Sequence, residues 1–384
     1  MDNQELLECF RKRFGHEGEL YFSPGRINLI GEHTDYNGGY VFPGAVDKGI
    51  TAAISPNGLK TCRVFASDIT DENNYVEFGT DETRKPSEHW ASYVFGVCRE
   101  LTERGVGISG FDAAFYGNVP LGAGMSSSAA LESVFAFALN DIFNGGIDKL
   151  GLALTGQAAE HKYCGVNCGI MDQFASVFGK EECLIRLDCR SMEYEYFPFH
   201  PTGYRLVLLN SCVRHSLGNE YNERRASCEN AVRKIAERHS GILTLRDVTY
   251  PMLEEIRQSI SDTDYRRALY VLGEKERVLA VCDALQAGDY ELVGKKMYET
   301  HWGLSLDYGV SCEELDYLVA IAAECGVTGS RVMGGGFGGC TINLVRDSLC
   351  ENFIGYATQK FTERFGHKPL MYEVTVGNGS RKLY

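Results

Sequence analysis

No run of about 18 apolar residues occurs in these 384 residues, so a membrane-spanning helix is not expected. A secretory leader is not expected either, because the opening Met1-Asp2-Asn3-Gln4-Glu5-Leu6-Leu7 has no basic start and no apolar stretch. The 14 cysteines include no C-x-x-C pair, and their closest spacings are Cys164 to Cys168 and Cys183 to Cys189. Scattered in this way, they read as buried reduced thiols rather than a zinc site or a disulfide framework, and the expected compartment is cytoplasmic. G-K-[ST] is missing, which excludes a Walker A loop; H-R-D and D-F-G are missing, which excludes a protein kinase. Internal repeats, low-complexity linkers and long blocks of like charge are absent too.

What is abundant is acid. With 52 acidic and 38 basic residues the net charge is −14, which opposes binding to nucleic acid or to an anionic membrane surface. A few backbone N–H groups and cations can still hold a small anion locally. The length calls for two domains, placed at 1–197 and 198–384 with Pro198 and Pro201 near the boundary. Short β-type runs at 40–54, 60–66, 74–78 and 110–117 surround a helical stretch near 88–104. Helices are expected at 126–143, 147–163, 219–240, 262–304 and 348–364. Strands are expected at 183–188, 192–199, 204–210, on both sides of a glycine loop within 329–346, and at 369–376. This alternation predicts an α+β fold rather than a doubly wound sheet.

The first chemical signal is the stretch from Gly117 through Gly122, Ala123, Gly124, Met125, Ser126, Ser127 and Ser128 to Glu132, set between a β-type run and an apolar-periodic helix. Glycines let backbone approach a ligand closely, and a helix N-terminus offers free N–H groups and the positive end of its dipole, which suits phosphate. One serine would be enough to cap an ordinary helix. Two glycines and three serines exceed that need.

A second glycine loop, Met333 to Cys340, contains G-x-G-x-x-G, but Thr341–Val345 reads as a strand where a dinucleotide fold needs a helix. Upstream, Arg26, Asn28, Glu32, His33, Thr34 and Asp35 crowd into one short segment. Ile27, Leu29 and Ile30 should anchor that segment in a core, which sets its polar groups against structure. Glu32, His33 and Asp35 can exchange hydrogen bonds with a polyhydroxylated ligand. Glu160 falls late in a helix and Asp172 at or near the start of the next. An acid in a first helical turn is commonly a dipole or capping residue, and that reading stays open for Asp172.

Together these patterns resemble the GHMP kinase superfamily, and Gly25-Arg26-Ile27-Asn28-Leu29-Ile30-Gly31-Glu32-His33-Thr34-Asp35-Tyr36-Asn37 is similar throughout to the signature of its galactokinase family. Gly122 to Ser128 looks like the superfamily's ATP loop, with Met125 where leucine is usual, and Met333 to Cys340 like its third motif. The resemblance implies a ribosomal-protein-S5-like N-terminal domain, a ferredoxin-like C-terminal domain and an active site in the cleft between them. It implies ATP, Mg²⁺ and galactose as ligands, with phosphoryl transfer to the anomeric hydroxyl. Asp172 matches the catalytic base and Arg26 its paired residue. Glu32, His33, Thr34, Asp35, Gly169 and Tyr221 match sugar-binding positions. Ser128 and Glu160 match the Mg²⁺-associated positions, and Ser67 a nucleotide contact. A monomer is expected. Kinases for N-acetylgalactosamine or arabinose, and a non-catalytic sugar and ATP sensor, are the alternatives to galactokinase.

Overall fold

The computed structural model describes residues 1–70, 72–120, 122–213 and 218–383. It begins with a helix that dense charge conceals from periodicity, α1 (Asn3–Phe14). Asp2 caps it by accepting from the Gln4 and Glu5 N–H groups, Glu5 returns the bond, and Gly15 ends it at φ 80°. Next come β1 (Glu19–Asn28), β2 (Tyr40–Val41), β3 (Pro43–Pro56), β4 (Thr61–Ala66), β5 (Tyr75–Gly79), α2 (His89–Glu103) and β6 (Phe111–Gly117). The helices α3 (Ser127–Ile142), α4 (Lys149–Ala159) and α5 (Met171–Phe178) follow.

A short final strand, β13 (Arg381–Lys382), completes a six-stranded sheet in the order β13-β1-β3-β6-β4-β5, antiparallel except for β4 against β6. Period-2 alternation sorts its two faces. Ala52, Ile54, Ala113 and Phe115 share one core with Phe95 and Leu101 of α2 and with Val134 and Leu139 of α3. Ala53 and Ala114 point the other way, to Leu6 and Phe10 of α1.

The second half supplies β7 (Cys183–Asp188) and β8 (Tyr194–Pro198), which join β2 in a three-stranded sheet. It then runs through β9 (Tyr204–Asn210), α6 (Gly218–Ala236), α7 (Tyr250–Glu255), α8 (Asp262–Gln286), α9 (Tyr290–Trp302) and α10 (Glu313–Glu324). The elements β10 (Gly329–Val332), β11 (Cys340–Arg346), α11 (Asp347–Phe365) and β12 (Leu370–Glu373) close it. The helical stretch expected at 262–304 is interrupted between α8 and α9, where Gly288 takes φ 70° and Asp289 caps the next helix by accepting from Leu292 N–H.

Four antiparallel strands in the order β10-β11-β9-β12 form the second main sheet. Val207 and Leu209 face α10 and α11 in a core with Leu318 and Phe353. Leu206 and Leu208 face a core shared with Ile27, Leu29, Ile30 and Phe42 from the first half. The apolar anchors read from the sequence therefore lie at the junction of the halves, and Gly31 to Asp35 leaves β1 directly beside it. The expected cut after residue 197 falls at the end of β8, yet β13 carries the chain back to β1. No helix among the described residues is long and apolar enough to cross a membrane.

Candidate active site

At the junction lies a cavity of ≈ 290 Å³ lined by Arg26, Glu32, His33, Asp35, Gly122 to Ser128, Glu160, Gly169, Asp172, Tyr221, Gly334 and Gly335, among others. The register of β1 against β3 shifts between Pro24 and Arg26, where the strand leaves regular pairing, and Arg26 N–H donates to Met125 O over 3.1 Å. Gly25 is required there, since a Cβ would stand 2.4 Å from Met125 O. Arg26 then grips Asp172 with two bonds, Nε to Oδ1 at 2.9 Å and Nη2 to Oδ2 at 3.0 Å. Its third nitrogen, Nη1, donates to Gly124 O.

Asp172 does lie in the first turn of α5, but its carboxylate is not used as a cap. Besides Arg26 it takes a hydrogen bond from Ser126 Oγ. The same bond decides the role of Ser126, which sits at the N-cap of α3 in the left-handed region (φ 56°) and makes no capping bond. The N-terminus of α3 is therefore left uncapped beside the cavity. That is the arrangement an anionic ligand needs.

Glu32 is nearly fully buried, and Oε1 of its carboxylate accepts from Gly334 N–H at 2.8 Å and from Arg331 Nη2 at 3.1 Å. His33 has φ 60°, a strained value for a residue with a side chain, and Asn37 Nδ2 holds its carbonyl at 2.9 Å. Burial lowers the His33 pKa to about 3, so its ring is neutral. Its Nε2 lies 3.2 Å from Gly335 O, and a carbonyl can only accept, so that nitrogen carries the proton. Nδ1 then accepts from the Tyr36 hydroxyl (2.8 Å), which in turn accepts from Tyr308 (2.6 Å). Tyr221 lies against this group, its ring 5.3 Å from that of His33.

Asp35 is pushed up to about 7, first by burial and then by the charge of Asp172. Its carboxylate passes so close to Gly169 that a Cβ there would lie 1.9 Å from Oδ2. Thr34 is not brought to the cavity. Fully buried, it bonds the Gly31 and Tyr40 carbonyls at 2.9 and 2.6 Å and closes the turn that presents Asp35.

Glu160 stands where α4 passes into the π-helical turn Glu160–Cys164, a distortion frequent at functional positions. Burial, followed by Asp172, raises it to about 7. Gln173 donates through Nε2 to both Glu160 Oε2 and Glu132 Oε2, each at 2.9 Å, while Glu132 Oε1 is buried with no partner. Among the described residues no group of three or more His, Cys, Asp or Glu could hold a metal ion. Magnesium needs fewer, commonly one or two carboxylates completed by phosphate and water. Glu160, with the Ser128 hydroxyl on the same cavity and an unsatisfied carboxylate behind it, fits that donor set.

A second cavity of ≈ 850 Å³ adjoins the first, sharing Tyr93, Ser127 and Ser128 with it. Ile69, Trp90, Phe115, Val119 and Leu131 give it apolar walls, and Asp68, Asn73 and Glu88 add polar groups. Sequence reasoning did not find these residues, because they come from four separate elements and loops. Ser67, the expected nucleotide contact, is outside the lining; its hydroxyl donates to Phe115 O at 2.8 Å while Asp68 and Ile69 form the wall.

The galactokinase galactose-binding signature matches residues 8–56, the GHMP kinases N terminal domain residues 92–180, and the GHMP kinases C terminal domain residues 282–354. Galactokinases of Clostridium beijerinckii and Clostridium acetobutylicum are each 40% identical to this chain, the first over 100% of both chains and the second over 98% of both. The chain belongs to the galactokinase family. A crystal structure of the family's Lactococcus lactis member, complexed with galactose, superimposes with TM-score 0.95 at 36% identity over 99% of each chain. A mevalonate kinase structure, 14% identical with TM-score 0.65 over 94% of this chain and 99% of that one, shows the wider GHMP fold alone. The family accounts for the α+β, two-domain architecture read from the sequence. It also accounts for the glycine loop between two antiparallel strands, which failed the dinucleotide test.

Proposed function

We propose that this protein is a galactokinase, transferring the γ-phosphoryl group of ATP to the anomeric hydroxyl of galactose. The observation that carries the reading is one cavity with two kinds of wall. On one side stands the uncapped N-terminus of α3 behind Gly122 to Ser128; on the other stand Glu32, His33, Asp35 and Tyr221, with the Arg26–Asp172 pair between them.

Phosphoryl transfer is mainly positioning and electrostatic stabilisation, because its transition state is loose and leaves charge on the phosphoryl oxygens. The α3 N–H groups and the Ser127 and Ser128 hydroxyls would receive those oxygens. Asp172 would take the proton of the anomeric hydroxyl as that oxygen bonds to the γ-phosphorus and the bond to the β–γ bridging oxygen breaks. Arg26 and Ser126 fix the Asp172 carboxylate through both its oxygens. A loose transition state needs little proton removal early on, so orienting the hydroxyl is the larger part of what Asp172 does here. Ser128 and Glu160 would hold Mg²⁺, which when bound neutralises phosphate charge. The larger cavity would take adenine between Trp90, Ile69 and Leu131. Glu32, the Nε2–H of His33, Asp35 and Tyr221 would read the sugar.

The test is ADP release by the purified protein with Mg-ATP, comparing galactose with glucose, N-acetylgalactosamine and arabinose. Turnover confined to galactose is the expected result. Preference for another of these sugars would overturn the sugar assignment, and binding of galactose and ATP without turnover would make the protein a sensor.

A further inference from the structure

Among the described residues Arg331 is the largest side chain that is completely buried, and it is a cation. It projects from β10, just before the third glycine motif, and is absent from the lining of the cavity. All three of its guanidinium nitrogens are engaged. Nε donates to Leu29 O at 2.9 Å, Nη1 to Val332 O at 2.6 Å, and Nη2 to Asn28 O and to Glu32 Oε1. Among the described residues Glu32 is its one carboxylate partner, and the two hydrogen bonds that carboxylate accepts there both fall on Oε1, from Arg331 and from Gly334 N–H.

We propose that Arg331 is a positioning residue for sugar recognition: with Gly334 N–H it saturates Oε1 of Glu32 and so leaves Oε2 as the single acceptor offered to a sugar hydroxyl. The inference rests on the reading of Glu32 as a sugar ligand. Physically, a buried carboxylate with neither oxygen fixed could turn about its terminal torsion, which has a broad minimum, and present either oxygen or neither. A planar fork that also spans two carbonyls of β1 and its exit removes that freedom and compensates the buried charge. A lysine ammonium in the same place keeps the charge but has no fork, so it cannot reach Asn28 O, Leu29 O and Glu32 together. The arrangement also ties the sugar signature to the third glycine motif. Gly334 belongs to that motif and Arg331 stands two residues before its start, so β10 and the motif between them supply the two groups that orient the signature's first carboxylate.

The experiment compares Arg331→Lys with Glu32→Gln on galactose and on a set of monodeoxygalactoses, with ATP saturation measured in parallel. Arg331→Lys is expected to raise the galactose KM about tenfold, in line with the loss of one charge-assisted bond, while kcat and the ATP KM stay within about twofold. The deoxy sugar whose KM is unmoved by Glu32→Gln should be unmoved by Arg331→Lys as well, a fingerprint that general loosening of the fold would not produce. Equal losses on every deoxy sugar, or a loss in kcat and ATP KM of the same size, would overturn the inference. If the lysine variant does not fold, the double variant Arg331→Met/Glu32→Gln removes both buried charges at once and decides. Its galactose KM should match that of Glu32→Gln alone, and a further tenfold rise would show that Arg331 acts independently of Glu32. Should Glu32→Gln leave the galactose KM unchanged, the sugar-ligand reading falls; should it raise KM while Arg331→Lys is silent, only the role of Arg331 falls.

Discussion

Replacing Gly169 by alanine tests the proposed sugar pocket with the smallest change available, one methyl group. Built on the present backbone, the new Cβ lies 1.9 Å from Asp35 Oδ2, 2.0 Å from its Cγ and 2.6 Å from its Cβ. Ordinary carbon–oxygen contact begins near 3.4 Å, so one partner must retreat by about 1.5 Å, comparable to the ~1 Å displacement that can cost 10²-fold in rate. The backbone that carries Asp35 is held in place. It opens a 3₁₀ turn closed by Asn37 N–H to Thr34 O and Gly38 N–H to Asp35 O, at 3.0 and 3.1 Å, and Thr34 is itself tied to two carbonyls. We therefore expect kcat/KM for galactose to fall at least about 10²-fold, with the ATP KM changed by less than about threefold and a stability loss of about 1–3 kcal/mol from overpacking. Steady-state kinetics with each substrate varied and thermal unfolding of both proteins measure these together. In an Asp35→Ala background the added methyl should cost almost nothing, because its collision partner is gone. A folded Gly169→Ala enzyme with near-normal kcat/KM on galactose, or an undiminished effect in the Asp35→Ala background, would refute the reasoning.

Asp172→Asn keeps the shape but cannot accept the proton, and turnover should fall about 10²–10⁴-fold while ATP binding, followed by fluorescence titration, persists. Asp35→Asn should stabilise the free protein at pH 8. The folded pKa is raised from 3.8 to about 7, so the carboxyl contributes stability at low pH that is lost as pH climbs through 7. The loss is at most about 4 kcal/mol, read as a Tm difference between wild type and variant that widens from pH 5 to pH 8. Trp90→Ala should raise the ATP KM about 5- to 150-fold and leave the galactose KM in place, since base–aromatic stacking contributes about 1–3 kcal/mol.

Local signals in the sequence were strong where one element carries its own chemistry. The helix expected at 126–143 is observed at Ser127–Ile142, and the strand at 204–210 is Tyr204–Asn210, because in each case a periodic apolar pattern meets a glycine or turn boundary. Helix α1 is hard to read because only Leu6 and Phe10 of its 12 residues are buried, Glu8 falls between them, and Arg11, Lys12 and Arg13 separate Phe10 from Phe14. The strand β1 was hidden for the opposite reason. It is buried over most of its length, so its polar and apolar residues no longer alternate with solvent.

The site shows the same division more sharply. Arg26, Glu32, His33, Asp35, Gly169, Asp172 and Tyr221 all reach one cavity; the first four crowd one short polar segment of the sequence, whereas Gly169 and Tyr221 follow from the family resemblance alone and the residues leave a capping role open for Asp172. Thr34 was marked by the same motif, yet its hydroxyl is consumed by two backbone carbonyls, a distinction between holding the loop and facing the ligand that no residue name conveys. Arg331 illustrates the complementary blindness. Its partner Glu32 is 299 positions away, so nothing beside it in the chain says that it is buried or paired. What does say so is an energetic rule applied after folding: a fully buried guanidinium is costly unless each of its nitrogens finds an acceptor. Once β10 brings Arg331 beneath the exit of β1, its acceptors are the Asn28, Leu29 and Val332 carbonyls and one carboxylate. That carboxylate lines the cavity, so the bond that offsets the cost of burying the arginine is the same one that would orient the proposed sugar pocket.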